Sequence, residues 1–245
     1  MRILMMIIRW QGGHGTVARG LKKELEKRGH EVHVASKEHI HSIREWIKIN
    51  GSGFDIIYTF DWSMALRIYP LFNKKHYCLF HGHNPTQPGR FLQTLIGKLM
   101  GKKLFVVGDT LKKRFPKSNL VYNGVDFETF KDLKKERKHL GWIDRDYDLV
   151  SYEDVVKLGK ELKLPTLVVK NIPYKDMNEF YNRCQAFVSM PPVCTGFNLS
   201  WLEAKAAGVK KIIGNENGIG NKLDNLKLKD FTWKNNVDKL LEIWK

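Results

Sequence analysis

Cysteine is scarce in this sequence, and acidic residues are too few to balance the basic ones. The 245 residues include three cysteines, Cys78, Cys184 and Cys194, an odd number without a Cys-x-x-Cys spacing. This argues against a disulfide framework and a zinc knuckle, and it predicts buried thiols. Lysine and arginine number 42 against 26 aspartates and glutamates, so the net charge is +16. A charge of this size attracts nucleic acids, acidic membrane surfaces or phosphate-bearing substrates.

Long apolar runs are absent as well. The run Ile3–Ile8 is far shorter than the roughly 18 residues that a membrane-spanning helix needs. It ends at Arg9 without a small-residue cleavage site, which is unlike a signal peptide. We therefore expect a cytoplasmic protein without a transmembrane segment. Hydrophobic residues make up 42% of the chain, which is enough to form a globular core.

Short apolar runs alternate along the chain with segments of helical period, the pattern of parallel sheets covered by helices on both faces. The predicted strands are Ile3–Ile8, Glu31–Ala35, Phe54–Thr59, Tyr77–Phe80, Leu104–Val107, Asn119–Tyr122, His139–Ile143, Thr166–Lys170, Ala186–Met190 and Lys211–Gly214. The predicted helices are Val17–Arg28, His41–Ile49, Glu153–Leu162, Met177–Cys184, Leu199–Ala207 and Trp233–Trp244. A lysine-rich stretch, Lys131–Lys138, separates two such series. The sequence thus predicts two doubly wound α/β domains with a ligand cleft between them.

Two segments have the composition of phosphate-binding turns. Gln11–Thr16 follows the first strand, and Pro191–Leu199 precedes the helix that carries Glu203. Glycines let the backbone approach a ligand, and a helix amino terminus offers unpaired N–H groups to an anion. The glycines at 12, 13, 15 and 20 do not fit the strict dinucleotide pattern, so a plain strand-to-helix turn is the alternative for the first segment.

Glu203 lies about two turns into its helix, where a carboxylate can accept hydrogen bonds from ribose hydroxyls. An exposed helix glutamate without a function is the alternative interpretation.

These segments belong to a longer series of motifs. In the first half they are Gly12-Gly13, Leu21, Leu25, Gly29-His30-Glu31-Val32, Phe54-Asp55-Ile56-Ile57, His81-Gly82 and Asn123-Gly124-Val125-Asp126 with Phe130. In the second half they are Gly141-Trp142-Ile143, Gly196-Phe197-Asn198-Leu199, Leu202-Glu203-Ala204, Ala207-Gly208-Val209 and Phe231-Thr232-Trp233. With them the chain resembles the retaining glycosyltransferases of family 4, which have the GT-B architecture and use nucleotide-sugar donors. At 245 residues it would be a short member.

The resemblance implies two Rossmann-like domains facing across a cleft. Residues 1–126 would form the acceptor-side domain, 127–230 the nucleotide-sugar-binding domain, and 231–245 a helix packed back on the first domain. Glu203 would bind the donor ribose, and His81 would face the transferred sugar. The implied catalytic residues are His81, Glu203 and Thr195. The implied donor-binding residues are Gly12, Gly13, Gly15, Arg145, Ile172, Gly196, Phe197, Asn198, Leu199 and Glu203.

The implied reaction moves a hexose from a donor such as a UDP- or GDP-hexose to an acceptor, which the sequence does not identify among glycans, lipids and other molecules. Configuration would be retained, and neither a cofactor nor a metal would be needed. His39, His41 and His83 have alternate spacing like that of metal ligands. The alternative is a catalytically altered protein of the same fold that binds nucleic acid or an anionic surface through its basic patches.

Two positions depart from the family pattern. Thr195 stands where the family has a glutamate that contacts the donor sugar. Where the family has an arginine and a lysine for the diphosphate, Arg145 is the one nearby cation, and Lys170 or Lys205 are the other candidates. Losing one such donor from a leaving-group site costs about 2.7–4 kcal/mol of the activation free energy.

The basic excess has two further interpretations. Arg90–Lys103 places Phe91, Leu92, Leu95, Ile96, Leu99 and Met100 on one stripe beside Arg90, Lys98, Lys102 and Lys103. Such a helix either packs on its own sheet, which the pattern favours, or lies peripherally on the inner membrane face. Lys112, Lys113, Arg114 and Lys131–Lys138 would attract nucleic acid, although no nucleic-acid-binding motif accompanies them.

Overall fold

The computed structural model describes residues 1–10, 12–37, 53–67, 75–82, 87–145, 148–191, 198–214 and 227–245. These residues form two compact units, each built on its own parallel sheet. The first unit combines Met1–Gly124 with Trp233–Lys245, and the second is Val125–Thr232. The α/β class predicted from the sequence is therefore confirmed. The predicted helix His41–Ile49 lies outside the described residues.

The first unit contains a six-stranded sheet with the strand order β2-β1-β3-β4-β5-β6. Its strands are β1 (Arg2–Ile7), β2 (Glu31–Ser36), β3 (Ile56–Phe60), β4 (His76–Phe80), β5 (Leu104–Val106) and β6 (Asn119–Leu120). Its helices include α1 (Gly12–Lys27), α2 (Trp62–Arg67), α3 (Gln87–Met100) and α4 (Asp109–Arg114). All five residues of β3 are buried, because both faces of a parallel sheet are covered.

The second unit contains a four-stranded parallel sheet with the order β10-β9-β7-β8. Its strands are β7 (His139–Asp144), β8 (Thr166–Lys170), β9 (Cys184–Val188) and β10 (Lys211–Ile213). Its helices include α5 (Tyr152–Glu161), α6 (Met177–Asn182) and α7 (Leu199–Ala206). A capping box in which Ser151 and Asp154 bond each other's backbone N–H groups begins α5.

The last described helix, α8 (Trp233–Trp244), has the bounds that the sequence predicted. It belongs to the first unit and packs on α1. Arg28, just after α1, donates a 2.6 Å hydrogen bond to Asp238 and a second one, to the carbonyl of Lys234. Val237, Leu240 and Trp244 of α8 are buried.

Two helices begin earlier than the sequence pattern predicts. α1 starts at Gly12 rather than at Val17, so Gly12, Gly13 and Gly15 lie inside the helix and not in a loop before it. Glycines add no apolar side chain, so they conceal the start of the helical period. α3 starts at Gln87, and the single apolar stripe predicted for it divides into a buried and an exposed part.

Cys78 and Cys184 are buried free thiols, as predicted, and Cys194 lies outside the described residues. Burial raises the pKa of the Cys184 thiol to about 12. Among the described residues, no helix is both long and apolar enough to cross a bilayer.

Candidate functional site

Three neighbouring strands of the first sheet end beside titratable side chains. His14 lies in the first turn of α1, which follows β1, while Asp61 directly follows β3 and His81 directly follows β4. Strands β1, β3 and β4 are adjacent and parallel, so their carboxyl ends share one edge of the sheet. This edge is where open α/β sheets bind ligands. We call His14, Asp61 and His81 the first-unit cluster.

The two histidines of this cluster are in ring contact. Their ring centroids lie 4.6 Å apart, and Phe60 packs against His81 with centroids 5.4 Å apart. Burial, assisted by the charge of Arg9, lowers the pKa of His14 to about 4. Burial and the neighbouring His14 lower the pKa of His81 well below its usual value. Both imidazoles are therefore uncharged at neutral pH.

One ring nitrogen of His81 has no hydrogen-bond partner among the described residues. In the part of the chain that the structure describes, its Nε2 is buried and makes no hydrogen bond. Since buried polar atoms are nearly always bonded, this atom is a candidate contact for a substrate hydroxyl.

Asp61 holds an unusual backbone conformation. Its φ is 80°, which is rare for a residue other than glycine and costs on the order of 1–3 kcal/mol. The Asp61 amide donates to the carbonyl of Leu79 at 2.7 Å, and its own carbonyl accepts from Ala65 at 3.2 Å. Burial raises the pKa of the carboxyl to about 6, against the hydrogen bond from the amide of Trp62. A partly buried carboxyl with a raised pKa and a strained backbone, at a strand end, marks a functional-site candidate.

The three glycines at the start of α1 differ in backbone conformation and in the space available for a side chain. Gly12 has a φ of +71°, which favours glycine. A Cβ at Gly15 would lie 1.7 Å from the carbonyl oxygen of Trp10, so this position admits no side chain. A Cβ at Gly13 would meet nothing within 4 Å, so its absence is not required by packing. The open space beside Gly13 is accessible to a ligand.

The second unit holds Glu203 in a buried position on α7. The residue is 5% exposed, and the hydroxyl of Tyr181 donates to its Oε2 at 3.2 Å. Burial and the adjacent Glu203 raise the pKa of Tyr181 well above its usual value, which keeps the phenol a donor. The alternative interpretation of Glu203 as an exposed helix residue is therefore wrong.

Arg145 lies against the first turn of α7. It follows β7, and its guanidinium donates a 2.6 Å hydrogen bond to the Oγ of Ser200. The helix amino terminus carries a partial positive charge, so a cation held there makes the position attractive to an anion. Arg145 thus contacts the first turn of the same helix, α7, that carries Glu203.

A chain of polar contacts fixes the start of this helix. Asn198 caps α7 by accepting from the amide of Ser200, and its side-chain amide donates to Ser189 Oγ at 3.1 Å. Ser189 in turn donates to Asp148, which also accepts a 2.7 Å bond from the amide of Met190. The loop after β7 and the end of β9 are therefore tied to α7, which orients the Arg145 segment.

The structure describes some of the remaining predicted site residues and not others. Leu199 is the first residue of α7, and Ile172 is half-buried just after β8. Lys170 forms a 3.2 Å ion pair with Asp144. Thr195, Gly196 and Phe197 lie outside the described residues, as do His39, His41 and His83. No group of three or more potential metal ligands occurs among the residues that the structure describes.

The sequence pattern missed four residues of these sites, namely His14, Asp61, Tyr181 and Ser200. Two of them carry a usable signal, since Asp61 follows a predicted strand and His14 lies in the glycine-rich segment. Tyr181 and Ser200 carry none, because their partners are distant in sequence.

No protein-family model matches the chain, and no curated protein matches its sequence. Solved structures do match it. AviGT4, a glycosyltransferase involved in avilamycin A biosynthesis, has a TM-score of 0.65 and 9% identity, covering 99% of this chain and 96% of its own. HepE of Anabaena, in complex with UDP-glucose, has a TM-score of 0.60 and 12% identity, covering 93% and 83%. An α-glucosyltransferase in complex with UDP and a 13-mer DNA has a TM-score of 0.58 and 12% identity, covering 100% and 90%. The chain therefore has the α/β fold of the GT-B glycosyltransferases.

Proposed function

We propose that the protein is a glycosyltransferase that moves a hexose from a nucleotide-diphosphate sugar to an acceptor hydroxyl with retention of configuration. The observation that carries this proposal is the guanidinium of Arg145 held 2.6 Å from Ser200 at the start of α7. A cation and a helix amino terminus that converge on one position suit a diphosphate. The complexes of structural neighbours with UDP and UDP-glucose support a donor of this class.

In this proposal α7 binds the donor. Arg145 and the first amides of α7 bind the diphosphate, so that Arg145 supplies a cation in place of the missing arginine–lysine pair. Glu203 accepts from the ribose hydroxyls. Because a carboxylate can accept about four hydrogen bonds, the bond from Tyr181 orients Glu203 and still leaves it capacity for a ligand.

The first unit contributes neutral groups to the transferred sugar. The open space at Gly13 admits the donor, and Nε2 of His81 hydrogen-bonds a sugar hydroxyl. The bond between the anomeric carbon and the leaving phosphate oxygen breaks as the acceptor oxygen bonds to the same face of that carbon. The acceptor proton passes to the departing phosphate, so no protein base is required. Arg145 stabilises the negative charge that develops on the leaving group.

Ligand-dependent thermal stability tests the donor assignment. A panel of UDP-, GDP-, ADP- and dTDP-hexoses is added to the whole protein, and we expect at least one to raise Tm. Arg145→Met and Glu203→Gln should each weaken that donor's binding by about tenfold or more, since each removes a charged hydrogen-bonding group. Lys160→Met is the matched control, because Lys160 is exposed on α5, outside the proposed donor site, and the change should leave affinity unchanged.

Two outcomes would contradict the proposal. The first is that no nucleotide sugar stabilises the wild-type protein. The second is that Lys160→Met weakens binding as much as Arg145→Met does. The circular dichroism of each variant checks that it is folded, and the anomeric proton coupling of the product measures retention directly.

A second candidate is nucleic acid as the acceptor. The α-glucosyltransferase bound to a 13-mer DNA favours it, and so does the net charge of +16. Incubation of the protein with labelled UDP-glucose and duplex DNA tests it, and label that does not enter the DNA eliminates this acceptor.

A further inference from the structure

The exposed face of α3 is unusual for a helix that covers a sheet. Phe91 is 69% exposed, Leu95 is 43% exposed and Leu99 is 50% exposed. They are spaced four residues apart, so they form one row along the helix. Lys98, seven residues after Phe91, is exposed on the same side. We call Phe91, Leu95, Leu99 and Lys98 the α3 row.

The opposite side of α3 already makes the contacts that the fold requires. Ile96 and Met100 are buried in a core cluster with Phe80, Leu104 and Phe115. Gln93, also buried, donates a 2.6 Å hydrogen bond to the carbonyl of Gly82. The core therefore does not need the α3 row, whose apolar area faces outward.

The charged residues that precede and follow α3 in the sequence are almost all basic. Residues 62–108 contain seven lysines and arginines and no aspartate or glutamate. Over residues 62–124 there are eleven basic residues and one acidic residue, Asp109, so this segment of the first unit carries +10 of the chain's +16. In α4, Lys113 is exposed, and Arg114 donates to the Arg90 carbonyl and to Thr94 of α3, which joins the two helices.

We infer that the α3 row docks on an anionic lipid membrane. A basic surface is attracted to acidic headgroups, and apolar side chains at its centre enter the boundary between headgroups and acyl chains. A nucleic-acid phosphate backbone would use the charges but not Phe91, Leu95 and Leu99. The three apolar side chains therefore favour a bilayer over a polynucleotide. This inference is independent of the proposed transfer reaction, because it requires neither donor nor acceptor.

Vesicle co-sedimentation of the whole protein tests the inference. The probes are phosphatidylcholine vesicles with and without about 30% phosphatidylglycerol, near physiological ionic strength. We expect binding to the anionic vesicles and at least about tenfold weaker binding to the neutral ones. Phe91→Ser should lower the partition coefficient by about tenfold, and Phe91→Ser/Leu95→Ser/Leu99→Ser by about a hundredfold. These side chains are exposed, so the variants should keep the wild-type Tm.

Matched controls distinguish binding through the α3 row from nonspecific binding through other exposed apolar side chains or other lysines. Leu149→Ser removes an apolar side chain that is 60% exposed in the second unit, and it should not alter binding. Lys98→Gln/Lys102→Gln should weaken binding to anionic vesicles, while Lys157→Gln/Lys160→Gln on α5 makes the same charge change elsewhere and should have less effect.

Three results would overturn the inference. They are no binding to anionic vesicles, equal binding to both kinds of vesicle, and full binding by the triple serine variant. A salt-sensitive gel shift with duplex DNA that the triple variant leaves unchanged, together with no vesicle binding, would assign the basic surface to nucleic acid instead.

Discussion

Alanine at Gly13 and alanine at Gly15 should have opposite effects on stability, although the two positions are two residues apart on α1. At Gly15 the new Cβ would lie 1.7 Å from the Trp10 carbonyl oxygen and 2.5 Å from its carbon. Carbon and oxygen normally approach to about 3.3 Å, so the backbone must move by roughly 1.5 Å. Overpacking of this kind costs about 3 kcal/mol of the unfolding free energy.

At Gly13 the same methyl group meets no atom within 4 Å. Alanine is favoured over glycine in a helix by up to about 1 kcal/mol, so Gly13→Ala should be neutral or stabilising. The two variants should therefore differ by about 3–4 kcal/mol. Urea unfolding measures this difference from the midpoints, provided that the m-value is unchanged.

Donor affinity completes the comparison, because Gly13 is proposed to border the donor. Gly13→Trp fills the open space and should weaken binding of the stabilising nucleotide sugar while the protein stays folded. Lys27→Trp, at the exposed far end of α1, is the control for an added indole. A Gly15→Ala protein as stable as the wild type would refute the steric argument. Unchanged affinity in Gly13→Trp would remove Gly13 from the donor site.

Two further predictions concern stability. The side chain of Arg137 is 12% exposed and donates to Asp132, Asn182 and the Ala207 carbonyl. Arg137→Met should therefore lower the free energy of unfolding, measured in urea, by about 3 kcal/mol. Lys138→Met, at an exposed neighbouring position, is the control. His76 is 1% exposed, and burial lowers its pKa from 6.5 to about 3, so the folded state binds fewer protons than the unfolded state below pH 6.5. Its contribution to stability should therefore fall by about 2.5 kcal/mol between pH 7 and pH 4.5, and His76→Asn should flatten the measured pH dependence. The raised pKa of Asp61 partly offsets this loss of stability, because the folded state there binds more protons than the unfolded state.

Much of the fold is predictable because strands of a parallel sheet leave short apolar runs and helices leave an apolar period of three to four residues. Thr166–Lys170 and Trp233–Trp244 were predicted with their observed bounds. The start of α1 was missed by five residues, because glycines carry no apolar period. For α3 the sequence spacing predicts one stripe of six apolar side chains, but it does not show which of these side chains face the sheet. Burial of Ile96 and exposure of Phe91 depend on the position of β4 and β5, which only the tertiary structure supplies.

The candidate site could be proposed from the sequence to the extent that its residues lie in local motifs. His81 and Glu203 belong to such motifs, and the structure places His81 at a strand end and Glu203 in a buried position on α7. The contacts that orient the site join residues far apart in sequence. Tyr181 bonds Glu203 across 22 residues, and Arg145 bonds Ser200 across 55. A single sequence contains no information that pairs these residues.

The packing of α8 on α1 has a consequence for synthesis of the chain. Arg28 and Asp238 are joined across 210 residues, and the whole of the second unit lies between them in sequence. During translation the second unit can therefore fold while the first sheet still lacks one of its covering helices. Until α8 leaves the ribosome, the apolar side of α1 is open to chaperones and to incorrect partners. A nonsense mutation before Trp233 would thus damage the unit that is synthesised first and leave the later unit complete.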